Sequence, residues 1–384
     1  MEYLVTVAAL EVRDGSSLAA CEIADGFRRR GHQARLFSLK RGAFAQWVTE
    51  NYGIECLSLE DLTANATITP DRIVLHHWPT YFALVRAGVR APTVFGFLGN
   101  QPALENPPPL PPEIRFPWFA ISEASQENVR TIPGWSSVVN SVVRNWTSWD
   151  ERTIRESGPL RRVAIVSNRM TDELENRFRA AADRASIEVV RFGFPKNSQI
   201  LDADILSEFD GIVSLGRTVL DAMRLGRPAL IYDIHGADGW VTPDVVQIRA
   251  TESFSGRRNA HQPTDAELDA WLANPPTSDE LRVLQRWVGQ TATLDLALDQ
   301  IDDLFRDATD PQRNWGRFGD AAVELYEEIA TLQSSLRIRE EQVRKLNAQR
   351  DIELEHIRKL ESIVARIRPK WLASVLAHLP GSPK

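Results

Sequence analysis

The residues with the clearest chemical potential lie in one segment, DGIVSLGRTVLDAMRLGRPALIYDIHGADGWV, residues 210–241. An apolar run ends at Ser214, Gly216 offers a tight turn, and a helical pattern begins near Arg217-Thr218. Backbone amides at a helix start, with an arginine beside them, make a site for a phosphate or diphosphate. Asp221 falls about one turn into that helix, where its carboxylate could accept hydrogen bonds from ribose hydroxyls. Many α/β loops carry a glycine before a helix, so the segment alone leaves an ordinary loop equally open. A second candidate is the triplet Asp202-Ala203-Asp204, a pattern able to hold a divalent cation against a diphosphate. It precedes a short helical stretch, which makes capping the expected role, and no metal is expected.

These residues need a scaffold that presents loops at the ends of strands. Tyr3 to Leu10 reads as a buried strand, a Gly15-Ser16-Ser17 turn follows, and Leu18, Ala19, Ile23, Ala24 and Phe27 mark a helix. Gly31 ends that helix and Ala34 to Leu39 resumes as strand, which is the rhythm of a parallel βαβ unit. Ile73 to Leu75, Thr93 to Phe97 and Trp118 to Ile121 extend the sheet, and the proline-rich residues 102–112 read as a stiff surface loop. After Glu156-Ser157-Gly158-Pro159 a second series begins. It comprises strands at Val163 to Val166, Ile187 to Phe192, Gly211 to Ser214 and Ala229 to Tyr232, with helices at Asp172 to Ala185 and Thr218 to Leu225. The expected architecture is therefore α/β: two Rossmann-like domains, residues 1–150 and 151–316, facing a cleft lined by the carboxyl ends of strands.

Residues 317–384 carry a different pattern. A 4-3 spacing runs through Leu325, Ile329, Leu332, Leu336, Arg339, Val343, Leu346, Arg350, Glu353, Ile357, Leu360, Val364 and Ile367. About six heptads of this kind point to a long coiled-coil helix. With Ile329 at a, the a sites are largely β-branched and the apolar d sites mainly leucine, which favours a parallel homodimer or higher homo-oligomer through residues 325–367. A long helix folded back on its own domains is the alternative. Arg366, Arg368 and Lys370 then precede Trp371-Leu372 and Val375-Leu376. That segment is expected either to pack as a terminal helix or to touch an anionic membrane weakly.

The order of residues in the first segment resembles a family. Gly216, Asp221-Ala222-Met223 and Gly226-Arg227-Pro228 look like the donor-site helix of family-4-like glycosyltransferases of the GT-B fold. Phe119-Ala120-Ile121-Ser122-Glu123-Ala124 and Val142-Val143-Arg144-Asn145 are similar to two further segments near that family's domain junction. Gly15-Ser16-Ser17 sits where the family has its donor-facing first loop. Arg169, after Ser167-Asn168, looks like its basic residue for the donor diphosphate. The family's paired acids lie eight positions apart, which puts the first at Val213; only the second survives, as Asp221. Either another acid, Asp233 or Asp238, replaces the missing one or the donor sugar is held differently, and Arg217 could supply the charge of an absent lysine.

The resemblance implies a glycosyltransferase moving a sugar from a nucleotide-sugar donor to an acceptor hydroxyl on a glycan, lipid-linked glycan or protein. Donor binding then falls to Gly15, Ser16, Arg169, Gly216, Arg217, Thr218, Asp221, His235 and Gly236. Fixed cations and helix amides would stabilise the leaving diphosphate without a metal or other cofactor. His77, at the carboxyl end of a strand, is the candidate general base, with a structural hydrogen-bonding role as the alternative. The run His235-Gly236-Ala237-Asp238-Gly239-Trp240 has two glycines for close backbone approach, and Asp238 could meet sugar hydroxyls in catalysis. An ordinary Asp-Gly loop is the competing reading. Ser253-Phe254-Ser255-Gly256-Arg257-Arg258 could bring further basic charge. Alternatives are a nucleotide-sugar epimerase and a non-catalytic scaffold working through the coiled coil.

Composition narrows the classes. A length of 384 residues corresponds to two or three domains, and 43% hydrophobic with 25% charged residues is ordinary for a soluble globular chain. The net charge of −7 argues against broad nucleic-acid binding. Uncharged stretches reach only about 14 residues, short of the ~18 of a membrane span. The start carries no signal-peptide pattern. Two cysteines, Cys21 and Cys56, exclude a disulfide framework and suit a reducing cytoplasm.

Overall fold

The computed structural model describes residues 1–64, 68–99, 103–105, 116–154, 158–193, 197, 200–257, 261–310 and scattered residues from 332 to 362. Residues 1–323 form one compact unit and residues 324–384 another. Seven strands make the first sheet: β1 (Glu2–Leu10), β2 (Gln33–Arg41), β3 (Cys56–Leu57), β4 (Arg72–His76), β5 (Thr93–Phe97), β6 (Trp118–Ala120) and β7 (Asn140–Val142). Their order is β3-β2-β1-β4-β5-β6-β7, with every pairing parallel. Five strands make the second: β8 (Arg162–Val166), β9 (Glu188–Phe192), β10 (Gly211–Ser214), β11 (Ala229–Asp233) and β12 (Gly236–Trp240). Read from the other edge, its order is β9-β8-β10-β11-β12. The chain thus has two Rossmann-like layers, the α/β class that the sequence rhythm predicts.

The helices of the first layer are α1 (Gly15–Arg29), α2 (Ala43–Tyr52), α3 (Leu59–Ala64), α4 (Pro79–Arg86) and α5 (Glu123–Arg130). Those that follow are α6 (Asp172–Arg184), α7 (Ala203–Ser207), α8 (Arg217–Arg224), α9 (Val246–Ala250), α10 (Asp265–Ala273), α11 (Ser278–Thr291) and α12 (Leu294–Leu304). β1 is central, and its apolar run is buried on both faces, as parallel strands covered by helices require. Asp14 starts α1 sharply: its carboxylate accepts from the Ser17 amide at 2.8 Å while Ser17 Oγ accepts from the Asp14 amide at 2.8 Å.

Two features depart from the sequence reading. The first is β12, where Gly236–Trp240 is not a loop but an antiparallel strand paired to β11, with Asp233 opposite Gly236 and Leu230 opposite Trp240. A two-residue turn at Ile234-His235 makes the hairpin. The second is α12, which follows the second layer in sequence yet inserts Leu294, Ala297, Leu298 and Ile301 into the first layer's core. Gly26 on α1 permits that approach, because a Cβ there would lie 2.5 Å from Leu298 Cδ1. Asp302, at the end of α12, accepts from Tyr3 Oη at 2.7 Å and pairs with Arg72 at 2.9 Å. The expected second domain, 151–316, therefore includes a helix that packs in the first layer.

In the unit 324–384 every described residue is helical and exposed. The seam residues Leu325, Ile329, Leu360, Val364 and Ile367, the terminal segment 366–376 and most of the proline-rich loop lie outside the described residues.

Candidate functional site

In an open α/β sheet, strand order reverses at a switch point, and the loops beyond the strand ends there form the natural crevice. In the second layer that point lies between β8 and β10, which run in parallel register from Gly211 opposite Val163 to Val213 opposite Ile165. The loop after β8 is organised by Ser167. Its Oγ donates to Asp233 Oδ2 at 2.5 Å and accepts from the Arg169 and Met170 amides, both at 3.0 Å. Asp233 is buried and also accepts from the Ile234 amide at 2.7 Å, which occupies both of its oxygens. Gly193 completes the support at φ +118°; a Cβ there would lie 2.1 Å from the Ser167 carbonyl oxygen.

This scaffold brings Arg169 and His235 together. Arg169 Nη1 lies 3.4 Å from His235 Nε2, and Arg257 Nη2 reaches the same nitrogen at 3.1 Å. Two guanidinium donors assign Nε2 as an acceptor, hence a neutral imidazole with its proton on Nδ1. Burial first, then the Arg257 and Arg169 charges, hold the His235 pKa below its ordinary value. Burial and Arg169 likewise depress Arg257. Two like charges converge on one point, offset in part by the Asp233 carboxylate, and such a convergence of guanidinium groups favours an anion.

The loop carrying Arg257 is strained and anchored. Ser253 and Phe254 both adopt φ 53°, and Phe254 is buried. The Gly216 amide donates to the Phe254 carbonyl at 3.1 Å, and the Ala124 amide donates to Thr251 at 3.0 Å, which joins this loop to both layers. Gly216 is the N-cap of α8, which has no side-chain cap, so the first-turn amides at Arg217 and Thr218 remain the helix's positive end. Thr218 is half-buried there.

Arg217 stands differently from the expectation of an open diphosphate ligand. Its guanidinium forms a two-pronged ion pair with Glu22 of α1, with Nη1 at 2.6 Å and a second, shorter contact from Nη2 to Oε1. Glu22 also accepts from Trp146 Nε1 at 3.0 Å and Ser148 Oγ at 2.6 Å. Asp221 lies 3.7 Å from Arg217 Nε and is 6% exposed. Among the described residues its Oδ1 has no hydrogen-bond partner. Burial disfavours the Arg217 charge, but the Glu22 and Asp221 carboxylates outweigh it and raise its pKa. The Asp221 pKa is raised as well, but there the shift disfavours the charged form: burial pushes it up to about 6 against the pull of Arg217 and Thr147. The two shifts agree once Glu22 is recognised as the principal partner of Arg217. Arg13, whose guanidinium reaches the Leu201 carbonyl at 3.4 Å, completes this charged junction between the layers.

The remaining predicted residues are occupied elsewhere. His77, at φ 63°, is 5% exposed; Nδ1 accepts from the Ala8 amide at 3.0 Å, and Nε2 faces Glu105 Oε1 at 3.4 Å. A general base needs a lone pair aimed at its substrate, and here that lone pair is taken by Ala8. Asp238 is 2% exposed at its side chain and pairs with Arg249 at 2.9 Å, so it does not open toward His235. Gly15 is exposed and Ser16 Oγ donates to Asp14 Oδ1 at 3.0 Å, which puts a carboxylate at the start of α1. Asp202 caps α7, accepting from the Ile205 amide at 2.8 Å. Gly236 begins β12 beside Gly256, whose own Cβ would meet the Gly236 oxygen at 2.9 Å. Glu22 is the residue that sequence reasoning missed. Its signal was a carboxylate in the apolar stripe of α1, three residues from Ala19 and one from Ile23.

No protein-family model and no curated protein matches the chain. Its structure is similar to a glycosyltransferase from Rickettsia africae ESF-5, at 12% identity over 80% of this chain and 98% of that one, with a TM-score of 0.49. It is also similar to the apo form of WaaB, a lipopolysaccharide outer core galactosyltransferase, at 12% identity over 80% and 99%, TM-score 0.49. A third is WaaG, a glycosyltransferase involved in lipopolysaccharide biosynthesis, at 10% identity over 79% and 99%, TM-score 0.48. Likeness at this level carries no functional argument, which rests instead on the geometry above. Among the described residues no helix is long and apolar enough to cross a membrane.

Proposed function

We propose that the chain is a glycosyltransferase whose nucleotide-sugar donor places its diphosphate against Arg169, Arg257 and His235, below the uncapped start of α8. The observation that carries this reading is the convergence of Arg169 and Arg257 on His235 Nε2 at a switch point of the sheet. Cleaving a nucleotide–sugar bond builds negative charge on the leaving diphosphate. Prepositioned guanidinium groups and helix amides stabilise that charge more in the transition state than in the intact donor. The acceptor is a hydroxyl of a glycan, lipid-linked glycan or protein, and the heptad-patterned segment 325–367 holds copies of the chain together in the cytoplasm.

A thermal-shift panel of nucleoside diphosphates and nucleotide sugars tests the reading, because a ligand of the folded state raises the melting temperature. A reproducible rise with at least one nucleoside diphosphate, absent in Arg169→Ala, is expected; no rise with any member would count against it. A non-catalytic scaffold is favoured by one observation, the engagement of both His77 and Asp238. Donor binding without hydrolysis or transfer would select the scaffold.

A further inference from the structure

Leu332, Leu336, Val343, Leu346 and Ile357 are helical and 49 to 65% exposed. With Leu336, Val343, Arg350 and Ile357 at a, and Leu332, Arg339, Leu346 and Glu353 at d, they line one helix face. An exposed apolar seam of this regularity is a surface for another helix. The seam's own charges say which helix fits. In a parallel pair each position meets itself, so Arg339, Arg350 and Glu353 would give three layers of like charge. In an antiparallel pair, a positions pack against d positions. When two copies are centred between residues 351 and 352, Arg350 meets Glu353 of the partner subunit, and symmetry repeats the contact in reverse. That register also sets Ile357 against Leu346 of the partner subunit. A different antiparallel register, centred two heptad layers earlier, would set Arg339 against Arg350 and bring Glu353 onto Leu336.

Orientation therefore depends on the seam. Ser335, Gln342, Asn347 and Gln349 flank it without charge, and the acidic flank Glu340 has no lysine or arginine among these flanking positions, so flanking lysine or arginine pairs do not compete for control. The β-branched a positions favour a parallel pair; the charged layers oppose it, because opposite charges at a partly desolvated interface attract and like charges repel. We propose that the C-terminal helices of two copies pair antiparallel, with Arg350 of each against Glu353 of the other. This deepens the self-association within the proposed function and rests on it.

Disulfide trapping in the full chain tests the arrangement, since Cys21 and Cys56 are buried. Mixed L346C and I357C chains should cross-link to each other under a glutathione redox buffer, while neither should link to itself. In parallel, light scattering of R350E should show dimerisation weakened roughly tenfold or more, and R350E/E353R should restore it to within about threefold. A parallel pair predicts the reverse: I357C links to itself, and R350E merely exchanges one like-charge layer for another. That outcome overturns the orientation. A chain monomeric at micromolar concentration overturns self-association itself, and neither outcome touches the donor site.

Discussion

Replacing Asp221 by asparagine keeps the volume of a side chain that is 6% exposed and removes its charge. Burial pushes the carboxyl up to about 6, with Arg217, Thr147 and Arg13 pulling it down and Glu22 pushing it further up. An exposed aspartate titrates near 3.9, so the displacement is about two pH units, or ~3 kcal/mol between the protonation states. The folded chain then binds this proton more tightly than the unfolded chain. The group's contribution to stability is fullest below about 4, falls as the pH rises toward about 6, and is flat above. Asparagine does not titrate. Between pH 4 and pH 7 the unfolding free energy of Asp221→Asn should therefore gain roughly 2–3 kcal/mol relative to the parent. Urea unfolding followed by tryptophan fluorescence at successive pH values measures the difference directly. Parallel stability curves for the two proteins would refute the assignment of a buried, reluctantly ionised carboxylate at this junction.

Glu22→Gln should destabilise the fold by about 3–5 kcal/mol, because Arg217 would keep its buried charge without its principal partner; a shift in thermal midpoint checks this. Nucleoside diphosphate binding should tighten as the pH falls through the histidine range. An anion offsets the arginines that hold His235 neutral, so binding takes up a proton. Calorimetry in two buffers of different ionisation enthalpy should reveal that uptake, and His235→Asn should abolish it. If guanidinium groups supply the charge at the diphosphate, EDTA should leave sugar transfer largely intact. Loss on chelation and recovery with magnesium or manganese would require a metal instead.

Most strands of both layers were legible because each is an apolar run between turn residues, as in Gly211–Ser214 and Ala229–Asp233; β3 and β7, two and three residues long, carry no such run. β12 was not, because Gly236-Ala237-Asp238-Gly239 has no strand propensity of its own and is held by pairing to β11. That Arg169 and His235 come together was legible from their places after two strands of one sheet. Arg217 misled for a physical reason: its partner Glu22 lies 195 positions away, and nothing local in α8 announces an ion pair to α1. His77 misled in the same way, since Ala8 and Glu105 reach it through the fold. The legible parts were those set by periodicity and strand ends. The hidden ones were charge pairings between elements distant in sequence.

The most direct test of the donor site is calorimetric titration of the nucleoside diphosphate with the largest thermal shift into the parent, Arg169→Ala and Arg257→Ala proteins. Arg169 is exposed and Arg257 half-buried, so both variants should fold. Each should lose roughly 1.5–3 kcal/mol of binding free energy, about 10- to 150-fold in affinity. Full affinity in both variants would contradict a diphosphate held between Arg169, Arg257 and His235.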